Sequence, residues 1–177
     1  NLRKVGNLFK DLFRPSKARR AYRNAYHLEL AGVPTARIVA TADRHWGGWL
    51  LRSYVLMEEI PGAIELGKRL AQGVPPEPAL IRQAAELIAR LHRQGLTHRD
   101  LKETNLVLDA NGRLHLLDLA GLEFVDVVSP IQSRADLERF ARGVGQFAVV
   151  ERRHRVAFLR HYYRTSRADV WVLSQNP

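Results

Sequence analysis

Four side chains that could do chemistry follow one another at short intervals in the middle of the chain. Asp100, Lys102 and Asn105 lie in the segment HRDLKETN (98–105), and Asp118 follows thirteen residues after Asn105. A carboxylate such as Asp100 can accept the proton of a hydroxyl group. The oxygens of Asn105 and Asp118 suit a hard cation such as Mg²⁺, and the ammonium group of Lys102 can offset negative charge. Together these residue types could support proton transfer from a hydroxyl group beside a bound cation.

A purely structural interpretation of the same residues is also open. Asp100 and Asn105 are residue types that form turns, and Lys102 taken alone could be a surface lysine. Turn formation leaves unexplained why Asp118 follows at the end of a second strand-like run. The chemical interpretation accounts for all four residues.

The flanking sequence indicates the elements that position this segment. An amphipathic run with Pro78 near its start and Gly95 after its end predicts a helix before the segment. The runs 105–109 and 113–117, joined by Ala-Asn-Gly, predict a β-hairpin after it. We therefore expect the segment to lie between a helix and a hairpin.

Further elements are predicted on the N-terminal side. Ser16 is a suitable N-cap for a basic helix that runs to about Ala31. The strand-like runs 37–41 and 50–58 flank a turn with two adjacent glycines, which is typical of a hairpin.

On the C-terminal side, two more helices are predicted. The sequence from Ser133 to Asp136 resembles a capping box that opens one helix. The last helix is predicted over 151–164, with Val156, Leu159 and Tyr163 facing inward. The order of helix, strands and then mostly helices predicts an α+β fold in two lobes.

The segment HRDLKETN, followed by Asp118, resembles the catalytic loop and metal-binding Asp of the protein-kinase-like superfamily. The resemblance implies that Asp100 is the catalytic base, that Lys102 neutralises the transferring phosphoryl group, and that Asn105 and Asp118 hold Mg²⁺ beside ATP. It also implies that the run ending at Met57 is a hinge strand, with Met57 as gatekeeper. The backbone of Glu58 and Ile60 would then pair with adenine.

Two expected parts of a kinase are missing from the pattern. No glycine-rich loop is visible, since Gly6 is isolated, and no strand surrounds Lys4, the early lysine nearest to the expected place. Either the chain begins just after the lysine strand or the protein is a degraded kinase. We expect a single kinase-like domain over 1–177, truncated at its N-terminus, with 1–62 as partial N-terminal lobe and hinge and 63–177 as C-terminal lobe.

Softer motifs point to one family within this superfamily. The segments RPSKARR (14–20), GVPTAR (32–37), RSY (52–54) and EEIPGA (58–63) resemble the bacterial lipopolysaccharide kinase family. That resemblance implies phosphorylation of a heptose or Kdo sugar of the lipopolysaccharide inner core, with ATP and Mg²⁺. It also implies a cytoplasmic active site and a lipid-linked acceptor at the inner membrane.

Charge and composition bound the remaining possibilities. The chain has 177 residues, a net charge of +10 and no Cys, which excludes a disulfide framework, a Cys-based zinc site and thiol catalysis. The basic residues concentrate in 1–23 and 151–167 and would suit an anionic membrane surface. No nucleic-acid motif accompanies them, so nucleic acid is not an expected partner. The alternative functions are an aminoglycoside- or choline-type kinase, and a pseudokinase or stress-response binding protein that keeps the fold without turnover.

Overall fold

The computed structural model describes residues 15–47 and 49–173, with side chains described up to residue 166. Lys4 and Gly6 lie outside the described residues. The helices are α1 (Lys17–Leu30), α2 (Leu66–Ala71), α3 (Pro78–Arg93), α4 (Pro130–Gly145) and α5 (Arg152–Leu173). The strands are β1 (Ile38–Trp46), β2 (Trp49–Met57), β3 (Ile64–Glu65), β4 (Leu96–His98), β5 (Leu106–Leu108), β6 (Leu114–Leu116) and β7 (Leu122–Phe124). The mixture of helix and sheet confirms the predicted α+β class.

The N-terminal part consists of α1 and one antiparallel hairpin. The Oγ of Ser16 accepts a hydrogen bond from the Arg19 N–H, which confirms the predicted cap of α1. Strands β1 and β2 pair from Ile38 opposite Met57 to Trp46 opposite Trp49. The first strand is longer and the turn is tighter than predicted, whereas the second strand keeps its predicted length and begins one residue earlier. Large apolar side chains on this hairpin remain exposed, Trp46 to 75%.

Two small sheets and four helices form most of the rest of the described chain. Strand β5 pairs with β6 and, on its other edge, with β3, while β4 pairs with β7. Pro78 is the first residue of α3, as predicted, because a proline at that position loses no helical hydrogen bond. One face of α3 is buried against α5 and the strands, and this contact forms the centre of the hydrophobic core.

Two predictions about the C-terminal helices are wrong. Helix α4 begins at Pro130 and not at the Ser133 box, because Ser129 caps it and forms a capping box with Gln132. In α5, Val156, Leu159 and Tyr163 are exposed, while Phe158 and Tyr162 pack inward. The apolar and basic residues alternate so closely in α5 that periodicity alone could not choose the buried face.

Candidate active site

Pairing of two short strands brings the segment HRDLKETN against the turn that follows β6. In this pairing His98, the last residue of β4, lies opposite Leu122, the first residue of β7. The Arg99 N–H donates to the carbonyl of Gly121 at 3.0 Å. The segment that begins at His98 and the turn that begins at Asp118 are therefore held side by side.

His98 is fully buried and connects the two loops. Its Nδ1 accepts a hydrogen bond from the Asp100 N–H at 3.1 Å, so its Nε2 carries the proton and donates to the Asp118 carbonyl at 3.1 Å. Burial lowers the pKa of His98 although nearby Asp118 acts to raise it, which is consistent with a neutral ring. A methyl group on Gly121 would lie 2.8 Å from the His98 Cε1, so the ring also requires glycine there. These contacts give His98 a structural role, which is to hold the two loops together.

A buried carboxylate on α4 accepts a hydrogen bond from the backbone at the start of the segment HRDLKETN. Asp136, 2% exposed, accepts the His98 N–H at 2.9 Å and also contacts the His92 Nε2 at 3.2 Å. The other nitrogen of His92 lies 2.7 Å from the Tyr162 hydroxyl on α5. Asp136 is thus a structural anchor of the loop, where the sequence suggested a capping residue.

Asp100 and Lys102 point outward and contact each other. The Lys102 Nζ lies 2.6 Å from the Asp100 Oδ2, and both side chains are about half exposed. A hydrogen bond to Asp100 raises the pKa of Lys102, which therefore stays charged at neutral pH. The arrangement presents a carboxylate and an ammonium group to the same volume of solvent.

Asn105 and Asp118 are brought together by a backbone hydrogen bond. The Leu117 N–H donates to the Asn105 carbonyl at 2.8 Å, which places Asn105 beside the residue that precedes Asp118. The Asn105 amide nitrogen donates to the Asp100 carbonyl at 2.8 Å, so its amide oxygen is the group able to face a cation. Asp118 has a φ of 52°, a left-handed conformation that non-glycine residues rarely adopt.

The donor chemistry fits Mg²⁺. One carboxylate and one amide oxygen are hard ligands, and Mg²⁺ usually combines one or two such protein ligands with waters and phosphate oxygens. Among the side chains described in residues 15–47 and 49–166, no cluster of three or more His, Asp or Glu offers an alternative metal site.

The predicted hinge residues lie in the segment that leads from β2 to β3. Met57 ends β2 with an exposed side chain, and the Glu58 N–H donates to the Arg37 carbonyl at 2.9 Å. The Ile60 carbonyl accepts the Ala63 N–H at 3.1 Å in a turn. No hydrogen bond or ion pair between described residues joins these residues with Asp100, Asn105 or Asp118, so the two predicted parts of the site are separate groups.

Two residues around the site were not predicted from the sequence. Asn24 on α1 donates to carbonyls in the Asp118 turn, and Glu103 inserts a buried carboxylate between α2 and α4. A polar residue in the apolar stripe formed by Ala21 and Leu28 was the signal that could have identified Asn24. No sequence pattern marks Glu103, because its neighbours are distant in the chain.

Comparisons with known proteins agree with this geometry. Residues 3–162 match the family described as Lipopolysaccharide kinase (Kdo/WaaP) family. A 3-deoxy-D-manno-octulosonic acid kinase from Stenotrophomonas maltophilia (strain K279a) is 39% identical over a match that covers 40% of this chain and 28% of that protein. The human serine/threonine-protein kinase LATS1 is 32% identical over 51% of this chain and 9% of its own length. The chain spans less than a third of the length of these curated relatives.

Solved structures show the same fold. The structure titled "WaaP in complex with acyl carrier protein" superposes with a TM-score of 0.69 at 24% identity and covers 89% of this chain and 72% of that chain. Monomeric WbdD gives a TM-score of 0.52 at 17% identity, over 79% of this chain and 37% of its own. The predicted protein-kinase-like fold is thereby confirmed.

Proposed function

Since the chain belongs to the lipopolysaccharide kinase (Kdo/WaaP) family, we propose that it is a kinase that transfers the γ-phosphate of ATP to a sugar hydroxyl of the lipopolysaccharide inner core, on heptose or Kdo. The observation that carries the proposal is the juxtaposition of Asp100 and Lys102 with the Asn105–Asp118 pair. These are the positions where the family's kinase superfamily carries its base and metal ligands.

The proposed reaction assigns one task to each of these residues. The carboxylate of Asp100 takes the proton from the acceptor hydroxyl, whose oxygen bonds to the γ-phosphorus while the bond to the bridging oxygen of ADP breaks. Lys102 offsets charge on the transferring group. Asn105 and Asp118 would hold Mg²⁺, which neutralises the nucleotide phosphates when bound.

The proposal also covers the nucleotide and the division of the chain. Met57 would be the gatekeeper residue, and the backbone of Glu58 and Ile60 would form hydrogen bonds with the edge of the adenine ring. Residues 1–62 would form part of the N-terminal lobe with the hinge, and 63–177 the C-terminal lobe. The segment from β2 to β3 supports this boundary, because it joins the hairpin to the remainder of the chain.

Turnover on defined acceptors tests the proposal. We would measure ATP consumption and phosphate incorporation with Mg²⁺ and purified inner cores that carry heptose or Kdo alone, for wild type, Asp100→Asn and the exposed control Asp126→Asn. Asp100→Asn should reduce kcat by about 10²- to 10⁴-fold and leave nucleotide binding intact. Phosphorylation of soluble amino sugars or choline instead would favour the small-molecule kinase, and nucleotide binding without wild-type turnover would favour the pseudokinase.

We further propose a cytoplasmic protein that contacts the anionic inner-membrane surface through α5. The solvent face of this helix carries Arg152, Arg153 and Arg160 beside exposed Val156, and such a face suits anionic headgroups. No helix in the described part of the chain is long and apolar enough to cross a membrane. Exchange of the three arginines for Gln should weaken binding to vesicles with phosphatidylglycerol. Equal binding by the variant would reject this contact.

An apolar cavity favours one additional partner. Helices α2, α3, α4 and α5 line a cavity of about 210 Å³ that is open on one side and whose lining is almost entirely apolar. Since the similar WaaP structure is a complex with acyl carrier protein, we propose that this cavity accepts the acyl chain of such a carrier. Ala141→Phe, at the wall of the cavity, should abolish binding of acylated but not of unacylated carrier protein in calorimetry, and unchanged binding of both would exclude the cavity.

A further inference from the structure

Asn24 is a buried amide on the face of α1 that is otherwise apolar. Its side chain is 1% exposed, and its Nδ2 donates to the Leu119 carbonyl at 2.7 Å and to the Leu122 carbonyl at 3.3 Å. Both bonds span more than ninety residues of sequence. A buried amide is costly unless it is hydrogen-bonded. Since the Asn24 Oδ1 has no hydrogen-bond partner among the described residues, the two Nδ2 bonds alone hold the amide and the turn to each other.

The turn that Asn24 binds starts at the proposed metal ligand. Asp118 has its left-handed φ of 52° just before the 3₁₀ turn Leu119–Gly121. Such a conformation costs a non-glycine residue about 1 kcal/mol or more and persists only where the surroundings hold it. His98 holds the Asp118 carbonyl on one side, and Asn24 holds the next carbonyl on the other.

We propose that Asn24 is a positioning residue for Asp118, through which α1 controls the affinity of the site for Mg²⁺. The inference rests on the proposed function and adds a coupling that the family resemblance does not contain. Protein kinases carry a switching Phe after this Asp, whereas this chain has Leu119, which is buried and 4% exposed. Leu119 is packed in the core, and its carbonyl accepts a hydrogen bond from Asn24. Through this bond, α1 is connected to the turn that begins at the proposed metal ligand Asp118.

A role in metal positioning differs measurably from a role in packing alone. Loss of two hydrogen bonds to the turn should weaken metal binding even where the protein remains folded. Loss of packing should lower the melting temperature and leave the metal requirement unchanged. The readout must therefore be metal binding and not only turnover.

The test compares Asn24→Leu, which has a similar volume and no donor, with wild type and Ser53→Ala. Ser53 is a matched control because its Oγ accepts the Ala18 N–H at 3.1 Å, so it tethers α1 to the hairpin and not to the metal turn. Mn²⁺ binding in the presence of ADP would be measured by electron paramagnetic resonance, beside the Mg²⁺ dependence of ADP binding. We expect the half-saturating metal concentration to rise about 3- to 10-fold in Asn24→Leu and to stay constant in Ser53→Ala.

The outcomes separate this inference from the proposed function. If wild type shows no metal-dependent ADP binding, the proposed function fails. If wild type shows it and Asn24→Leu has the same half-saturating metal concentration with only a lower melting temperature, the inference is wrong. Should Asn24→Leu fail to fold, Asn24→Ser has a hydroxyl too short to reach both carbonyls and must show the same rise, and an unchanged value there overturns the inference equally.

Discussion

The carboxylate of Glu103 fits into the space beside Gly67 and Gly143, where any larger residue would collide with it. We therefore predict that Gly143→Ala destabilises the wild-type protein but stabilises a variant that lacks the Glu103 side chain. Glu103 is 6% exposed, and its Oε1 accepts a hydrogen bond from Gln146 at 3.0 Å. A methyl group on Gly143 would overlap the Glu103 Oε2, and one on Gly67 would lie 3.1 Å from its Cγ. The side chain therefore docks the turn of the segment HRDLKETN against α2 and α4.

The expected change in the free energy of unfolding follows from the position of Gly143 within α4. In the wild-type background, Gly143→Ala forces the buried carboxylate to move and should destabilise the protein by about 1–3 kcal/mol, as overpacking does. In a Glu103→Ala background the clashing side-chain atoms are gone, and the next contact of the methyl group is the backbone N of residue 103 at 3.4 Å. There the same change should stabilise α4 by up to about 1 kcal/mol, the helix preference of Ala over Gly.

A double-mutant cycle measures this reversal. Urea unfolding of wild type, Gly143→Ala, Glu103→Ala and the double variant gives the coupling free energy between the two positions. Gly145→Ala in the same helix is a control, since its methyl group would approach only the end of the Arg155 side chain at 3.7 Å. The reasoning is refuted if Gly143→Ala destabilises both backgrounds equally.

Three other substitutions have expected outcomes. Lys102→Ala should lower kcat about tenfold or more with less change in the KM for ATP, because Lys102 lies beside Asp100 and not beside the proposed hinge; equal changes in both constants would contradict this role. Ser129→Ala should cost about 1 kcal/mol in urea unfolding, because it removes the capping box of α4; no loss would contradict it. Burial would raise the pKa of Asp43, but hydrogen bonds, that of Ser53 foremost, lower it below 3.8. Its stabilisation is thus present above pH 3.8 and lost as the pH falls through the lower folded pKa, so the effect of Asp43→Asn on unfolding should shrink in acid and contradicts the linkage if it grows.

Local signals predicted most of the fold. Ser16, Pro78 and Gly95 mark helix ends through backbone chemistry that depends only on near neighbours, and the structure confirms these ends. The predicted start of α4 was wrong because two cap-like segments, 129–132 and 133–136, follow each other directly. The structure uses the first, in which Ser129 and Gln132 form the capping box, while Asp136 of the second turns inward to the His98 N–H.

The proximity of the candidate site residues was predictable from the sequence, whereas the residues that support them were not. Asp100 and Asn105 occupy one short motif, so their spacing alone suggested a loop. Asp136 and Glu103 act across long sequence separations, and a single sequence carries no signal for such contacts. The prediction of the buried face of α5 was wrong for a related reason. Two faces of this helix have similar composition, and only the surface against which the helix packs determines which one is buried.

The dependence of the His98 backbone on Asp136 has a consequence for the order of events during synthesis. Asp136 lies 38 residues downstream of His98, and chains grow at about 5–20 residues per second, so the anchor is made about 2–8 s after the residue it holds. Tyr162, which contacts His92 across 70 residues, is made later still. A ribosome therefore synthesises the segment HRDLKETN well before the residues that hold its backbone in place. During that interval the nascent segment lacks the anchors that give the proposed base and metal ligands their geometry.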